Sequence, residues 1–305
     1  MFSYINSFLA QTITYAVVYT LTSLGIVIAG RAGIFNVAGE GIMLASASLG
    51  FIISYLTQNA VIGFIVGAIL GGLFGLLLSS IHEKFKVNQF VLGISLVILG
   101  TGLSDLFYKL IIGVRLTAPR APKTPSVNIP FLNNIPIVSA LLNQDIIVYF
   151  LYIVIIFAWW FYYKTKVGLE TRAIGENPKA ADVVGVNVTK RRILSTVIGS
   201  LLIGISGAYL PIVITGTYTP DISAGRGFMA VGIAIFASWR PQRAILGGFL
   251  FAAIEVIAFR LQVISQKIPY QFFLMLPFIS VLIVMMIFKK QIEFPLSVGK
   301  PYSRE

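Results

Sequence analysis

The residues able to do chemistry are few, and most of them are charges set into apolar sequence. Glu40, Asp105, Glu255 and Arg226 all fall within or beside long hydrophobic runs. A charged side chain in hydrocarbon costs about 3 kcal/mol or more, so each needs a protein partner or marks a route for a polar ligand. Glu255 lies in mid-run and calls for a partner; a structural hydrogen-bonding role and a functional one both stay open. Asp105 reads as reaching the outer interface. Glu40 and Arg226 stand near helix starts, beside a translocation path or at a wet interface. Composition excludes several other chemistries, and a membrane enzyme, while possible, has no visible active site. The chain has no Cys, so no thiol nucleophile, disulfide or Cys-ligated zinc, and its one histidine, His82, rules out His clusters. No G-x-x-x-x-G-K-[ST], G-x-S-x-G or H-E-x-x-H occurs. A non-enzymatic chain without metal or cofactor is expected.

The second place of interest is polar. Residues 164–192, KTKVGLETRAIGENPKAADVVGVNVTKRR, form the longest polar run between two strongly apolar segments. Asn177 is a good N-cap and Pro178 suits the first helical position. Lys179 to Val184 can form about two turns, with Gly185 as the C-cap residue. This short helix is either a docking surface or part of an ordinary solvated loop.

These residues must be positioned by membrane helices. The 305 residues are 57% hydrophobic and only 11% charged, where soluble chains carry about 25% charged residues. Nine apolar spans are expected, at 12–30, 40–57, 60–81, 89–112, 145–163, 193–215, 228–239, 244–263 and 270–288. The seventh is too short to cross alone and is expected to continue the irregular stretch 216–227 as a broken helix. The net charge of +12 sits in the loops, so it is no nucleic-acid footprint. Most Lys and Arg lie on one side, including Arg31, the 82–88 turn, the 164–192 loop, Arg240, Arg243 and the tail 289–305. The positive-inside rule then puts the C-terminus in the cytoplasm and, with nine spans, the N-terminus outside. The N-terminus has no basic n-region and does not read as a cleavable signal. The external segment 113–144 holds Pro119, Pro122, Pro125, Pro130 and Pro136 and a short helix signal at Val138–Asn143. It is a platform for an extracytoplasmic partner or a rigid connector. Gly63, Gly67, Gly71 and Gly75 line one helix face and are expected to allow close helix packing.

The two halves echo each other. Ala68-Ile-Leu-Gly-Gly72 matches Ala244-Ile-Leu-Gly-Gly248, Glu40-Gly-Ile-Met43 resembles Arg226-Gly-Phe-Met229, and Gln89-Phe-Val-Leu92 resembles Gln271-Phe-Phe-Leu274. Spans 1–4 (about 12–112) then correspond to spans 6–9 (about 193–288) within one transmembrane domain, with span 5 as connector. Five spans separate equivalent helices, so the four-helix repeat is inverted, as in many transporters. Its broken points are Gly33–Gly41 and Thr217–Gly227, and these are expected nearest the path.

Three stretches carry a family resemblance. Gly168 to Asn187 is similar to the cytoplasmic signature of permeases in the branched-chain amino acid/ribose ABC importer superfamily, and its Glu-Asn-Pro-Lys-Ala-Ala-Asp portion most resembles the nucleoside-importer branch. Ser223–Val231 with Ile235–Pro241, and Phe35–Met43, are similar to that family too, and the likeness runs over about residues 20–290. The resemblance implies an all-α polytopic fold like that of cobalamin-importer (type II) permeases, usually ten helices, here with the first missing. It implies a cytoplasmic ABC ATPase, a second related permease in a heterodimer, an extracytoplasmic substrate-binding lipoprotein and a place in the bacterial cytoplasmic membrane. It also lays the ATPase-coupling helix on Glu176, Asn177, Pro178, Lys179, Ala181, Asp182 and Val184.

The expected function is the permease subunit of an ABC importer of nucleosides, with ATP hydrolysed on another chain. Asn36, Glu40, Tyr218, Arg226 and Phe228 are the expected path residues, with Phe228 and Tyr218 stacking on a base and Asn36 hydrogen-bonding the ligand. The alternatives are an ABC permease for sugars or branched-chain amino acids, and an ion-coupled carrier using an intramembrane acid.

Overall fold

Two long helices cross at paired glycines, and the rest of the fold is hung on that crossing. They are α1 (Phe2–Arg31) and α9 (Val188–Tyr209). A Cβ on either Gly25 or Gly199 would run into the other's carbonyl group, so only glycine lets the two backbones approach this closely. The computed structural model describes residues 2–113, 117–127, 136–264 and 269–303. Between the central pair come α2 (Gly39–Thr57), α3 (Ala60–Phe85), α4 (Gln89–Ile111), the short α5 (Pro136–Leu142) and α6 (Ile146–Lys164). Two polar helices follow, α7 (Lys166–Glu176) and α8 (Pro178–Val183). After α9 and one π-helical turn (Leu210–Ile214) come α10 (Arg226–Phe236), α11 (Pro241–Ile264) and α12 (Tyr270–Phe288).

Among the described residues there are eight helices long and apolar enough to cross a membrane, and the protein is a multi-pass membrane protein. They correspond one to one with eight of the nine expected spans. The remaining one, the seventh, is α10, which has 11 residues and cannot cross alone. α1 extends farther toward the N-terminus than the 12–30 stretch, reaching 30 residues. Pro130, with 114–116 and the rest of 128–135, lies outside the described residues. The short helix expected at Val138–Asn143 is α5, at Pro136–Leu142.

The packing repeats when the halves are exchanged. α3 lies against α9 as α11 lies against α1. The α3 glycines make this possible. Cβ atoms on Gly67, Gly71 and Gly75 would meet Ala208, Gly204 and Ser200 of α9, and one on Gly248 of α11 would meet Thr20 of α1. Burial separates centre from rim. The most apolar window of α1 is 83% buried and that of α12 only 17%, so α1, α2 and α9 form the core and α4, α6 and α12 the outside. Exposed apolar residues such as Ile98, Leu282 and Ile287 cover that rim. In a membrane such residues need no further explanation, because lipid tails are as apolar as they are.

Candidate functional site

The two broken points meet, and Glu40 joins them. α1 ends at Arg31, residues 32–38 turn back into the fold, and α2 starts with Glu40 in its first turn. From the other half, residues 215–225 turn inward until α10 starts at Arg226. The Glu40 carboxylate is buried. Its Oε1 accepts from Ser223 Oγ at 2.5 Å and from the Gly225 N–H at 2.9 Å, and its Oε2 accepts from the Gly227 N–H at 2.6 Å. It thus occupies the N-terminus of α10, where free N–H groups and the helix dipole favour an anion. The turn before α10 has Asp221, Ala224 and Gly225 at positive φ, which curls the chain so that these N–H groups face Glu40.

The repeat aligns Glu40 with Arg226, but the two do not pair. Arg226 turns the other way, to Glu255 of α11. Nε donates to Oε1 at 3.0 Å and Nη2 also donates to the same carboxylate. Nη1 donates to the carbonyls of Ile222 and Ser223, and Tyr19 of α1 donates its hydroxyl to Glu255 Oε2 at 2.6 Å. This is the partner that Glu255 required. The pair ties α10 to α11 and α1, and a cavity of about 140 Å³ beside it is lined by Met229, Phe259, Phe273 and Phe278.

The other expected path residues scatter. Asn36 is fully buried on the first broken segment. It donates to Ser200 Oγ at 3.1 Å, and its Oδ1 has no hydrogen-bond partner among the described residues. Tyr218 is buried, with its hydroxyl 2.5 Å from Ser104 Oγ and its ring 4.7 Å from that of Tyr108. Phe228 is 47% exposed on α10. Asp105 is half-buried near the end of α4. The first break has a brace that spacing did not reveal. Gln89 Oε1 accepts the Phe35 N–H at 2.6 Å, and Gln89 Nε2 donates to the Gly33 carbonyl at 3.3 Å and lies 2.8 Å from His82 Nε2. Gln271, which the sequence echo aligns with Gln89, is exposed.

At the basic end of the fold, the short helix signalled by Asn177 and Pro178 forms as α8. Asn177 Oδ1 accepts the Ala180 N–H at 3.1 Å, Pro178 is the first helical residue, and Gly185 follows the cap at φ +88°. Ala181 is buried against Ile174, Val188 and Tyr302. Val183 and Val184 are 88% and 76% exposed, an apolar tip on a polar element. Asp182 accepts from the Tyr302 hydroxyl at 2.9 Å, and Glu176 lies 3.7 Å from Arg31 Nη1. Lys179 is exposed on α8. The preceding helix α7 was not expected. Its one sequence signal is Thr165, whose hydroxyl caps Gly168 N at 3.0 Å. Docking of the tail on this region had no signal at all.

A multi-pass helical bundle with two inward-turning breaks, a capped polar helix at one end and no nucleotide-binding motif defines the transmembrane subunit of a transporter. Residues 8–287 match the family described as the branched-chain amino acid transport system permease component, and the chain belongs to that family. It is similar to TsgC13 of Haloferax volcanii, a protein provisionally named as a glucose ABC transporter permease, with 34% identity over 86% of this chain and 80% of that one. It is also similar to the nucleoside ABC transporter permease protein NupC of Lactococcus lactis, 31% identical over 96% of this chain and 95% of the relative. The guanosine ABC transporter permease protein NupQ of Bacillus subtilis is 28% identical over 95% and 94%.

Proposed function

We propose that this permease carries nucleosides into the cell as one subunit of an ATP-driven importer. The observation that carries the reading is end-to-end likeness to NupC, which spans 96% of this chain and 95% of the relative. The likeness to TsgC13 is slightly stronger in identity but leaves a fifth of that protein uncovered. Lactococcus lactis and Bacillus subtilis each have a second similar permease, NupB and NupP, which supports a heterodimer of related permeases here. A cytoplasmic ATPase and an extracytoplasmic binding lipoprotein complete the assembly. The α7–α8 end faces the cytoplasm, in keeping with its Lys and Arg, and the C-terminus lies there too.

In this mechanism the ATPase grips α8, with the exposed Val183–Val184 tip as its apolar foothold. Glu176, Asn177, Pro178, Lys179, Ala181 and Asp182 hold that tip in one orientation. Displacement of α8 rocks the two halves against each other, and the path opens beside the breaks where Glu40 meets α10. Phe228, with free surface on α10, stacks on the base. Arg226 lines the neighbouring aromatic cavity, Asn36 offers a free acceptor, and Tyr218 and Glu40 keep the breaks in shape. The test is uptake of labelled nucleoside into vesicles holding this chain, its partner permease, the ATPase and the binding protein. ATP-dependent uptake that unlabelled nucleosides displace, and glucose or leucine do not, supports the reading. Uptake driven by an ion gradient without ATP sinks it.

A further inference from the structure

Among the described residues, the tail after α12 touches both α8 and the foot of α10. Its first part holds the turn that ends α10. Ser238 Oγ donates to the Gln291 carbonyl at 2.8 Å and accepts the Glu293 N–H at 3.3 Å, and the Phe294 ring lies 4.4 Å from that of Trp239. Its second part holds the polar end of the fold, and Ser297 Oγ also lies against Gly33 of the first break. The Ser297 N–H and Oγ donate to the carbonyls of Gly175 and Ile174, each at 2.9 Å. Arg192 Nη1 donates to the Lys300 carbonyl at 3.2 Å, and Lys86 Nζ donates to that of Tyr302. The Tyr302 hydroxyl donates to Asp182 on α8 at 2.9 Å. Between these anchor sets the chain has no helix or strand.

Trp239 is a fitting receiver. It is fully buried, with its ring against Gly30 of α1 and 6.1 Å from that of Phe35 on the first break. Ser238 and Trp239 both have positive φ, +52° and +51°, which L side chains adopt only when the surroundings hold them there. The tail supplies part of that hold. The other end of α10 is the N-terminus that Glu40 clasps. A chain of contacts therefore runs from α8 along the tail to Trp239, up α10 and into the meeting point of the breaks. A second, shorter link runs beside it through Arg31, which lies 3.7 Å from Glu176 and donates Nε to the Trp239 carbonyl at 2.7 Å.

We propose that Gln291–Tyr302 is a tie that carries the displacement of α8 to the foot of α10, with Tyr302 as the residue that positions α8 on it. The proposal rests on the ATPase-coupling reading of α8. Contact alone does not establish coupling; what is required is that slackening the tie changes the response at the far end. The experiment uses the full assembly in vesicles and reads nucleoside taken up per ATP hydrolysed, with assembly yield and melting temperature alongside. Two variants are compared with the parent. Tyr302→Phe removes one hydroxyl and keeps the ring. Insertion of Gly-Gly between Phe294 and Pro295 keeps both anchor sets and lengthens the segment between them. The expected result is assembly at parental yield with uptake per ATP reduced about fivefold in Tyr302→Phe, the weight of roughly one net hydrogen bond, and reduced at least as far by the insertion. An unchanged ratio in both variants overturns the tie while the nucleoside reading stands. A lower melting temperature with an unchanged ratio also overturns it, because the contacts then only hold the fold. A parent assembly without ATP-driven uptake overturns both.

Discussion

Glu40 Oε2 accepts the backbone N–H of Gly227 at 2.6 Å, so the first turn of α2 holds the first turn of its repeat mate α10. The contact is close enough to exclude any side chain on the glycine. A Cβ there would stand 2.5 Å from Glu40 Cα. Gly227→Ala is expected to push the two helix starts apart and to destabilise the protein by about 1–3 kcal/mol, as overpacking does. Glu40→Gln keeps the shape but sets an NH2 group against N–H donors, at about 1–3 kcal/mol for the unmade bond. Thermal unfolding in detergent checks both, and a melting curve unchanged in Glu40→Gln would show that the clasp contributes nothing.

The Arg226–Glu255 pair should behave as buried ion pairs do. Removing one partner, as in Glu255→Leu, strands a charge and is expected to cost about 3–5 kcal/mol. Replacing both, Arg226→Met with Glu255→Leu, should recover most of that loss. A double-mutant cycle on melting temperature reads the coupling. If the double variant unfolds as early as the sum of the singles, the pair is not the interaction that matters.

The Gly25–Gly199 crossing predicts a loss from the smallest possible change. Gly25→Ala places a methyl group against the Gly199 carbonyl, in a core that tolerates little added volume. The expected destabilisation is about 1–3 kcal/mol. Gly113→Ala is a poor control because of its positive φ. Gly102→Ala is a good one, since nothing lies within 4 Å of its added Cβ. Equal melting temperatures for Gly25→Ala and Gly102→Ala would contradict the close crossing.

Val183 and Val184 separate docking from folding. Both side chains are exposed, so Val183→Asp with Val184→Asp should leave the permease's stability within about 0.5 kcal/mol of the parent. Co-purification with the ATPase should fall sharply. Asn177→Ala acts differently: it removes the α8 cap, at about 1 kcal/mol of local stability, and should weaken ATPase stimulation without abolishing assembly. Substrate-stimulated hydrolysis that matches the parent in variants of both Glu176 and Asp182 would count against α8 as the coupling element.

Gln89 tests how far the first break depends on its brace. Gln89→Leu leaves the Phe35 N–H without its acceptor and His82 without its neighbour. A cost of about 1–3 kcal/mol is expected for the stranded polar groups. Gln271→Leu, on the exposed mate, should change little.

The long helices were legible because their signals are local. Twenty-residue apolar runs, a glycine every fourth residue along α3, and Asn177-Pro178 ahead of α8 act within a turn or two, and the fold obeys each of them. Glu40-Gly and Arg226-Gly, which echo each other in the sequence, both open helices, and these helices start at the shared meeting point. α7 was missed because an 11-residue helix rich in polar residues has a weak pattern and one modest cap.

The sequence by itself determined which segments cross the membrane, where the chain must break, and that a short capped helix stands in the basic loop. Burial of apolar surface and local capping decide these, and both can be read from neighbours along the chain. Only the tertiary structure decided which buried charge meets which group. Glu40 bonds to Ser223, 183 residues away, Arg226 turns to Glu255 rather than to its repeat mate, and Tyr302 reaches Asp182. Such pairings have no spacing rule. They are settled when packing brings distant groups together, and most buried donors and acceptors then take a partner within reach, because leaving the bond unmade costs about 1–3 kcal/mol.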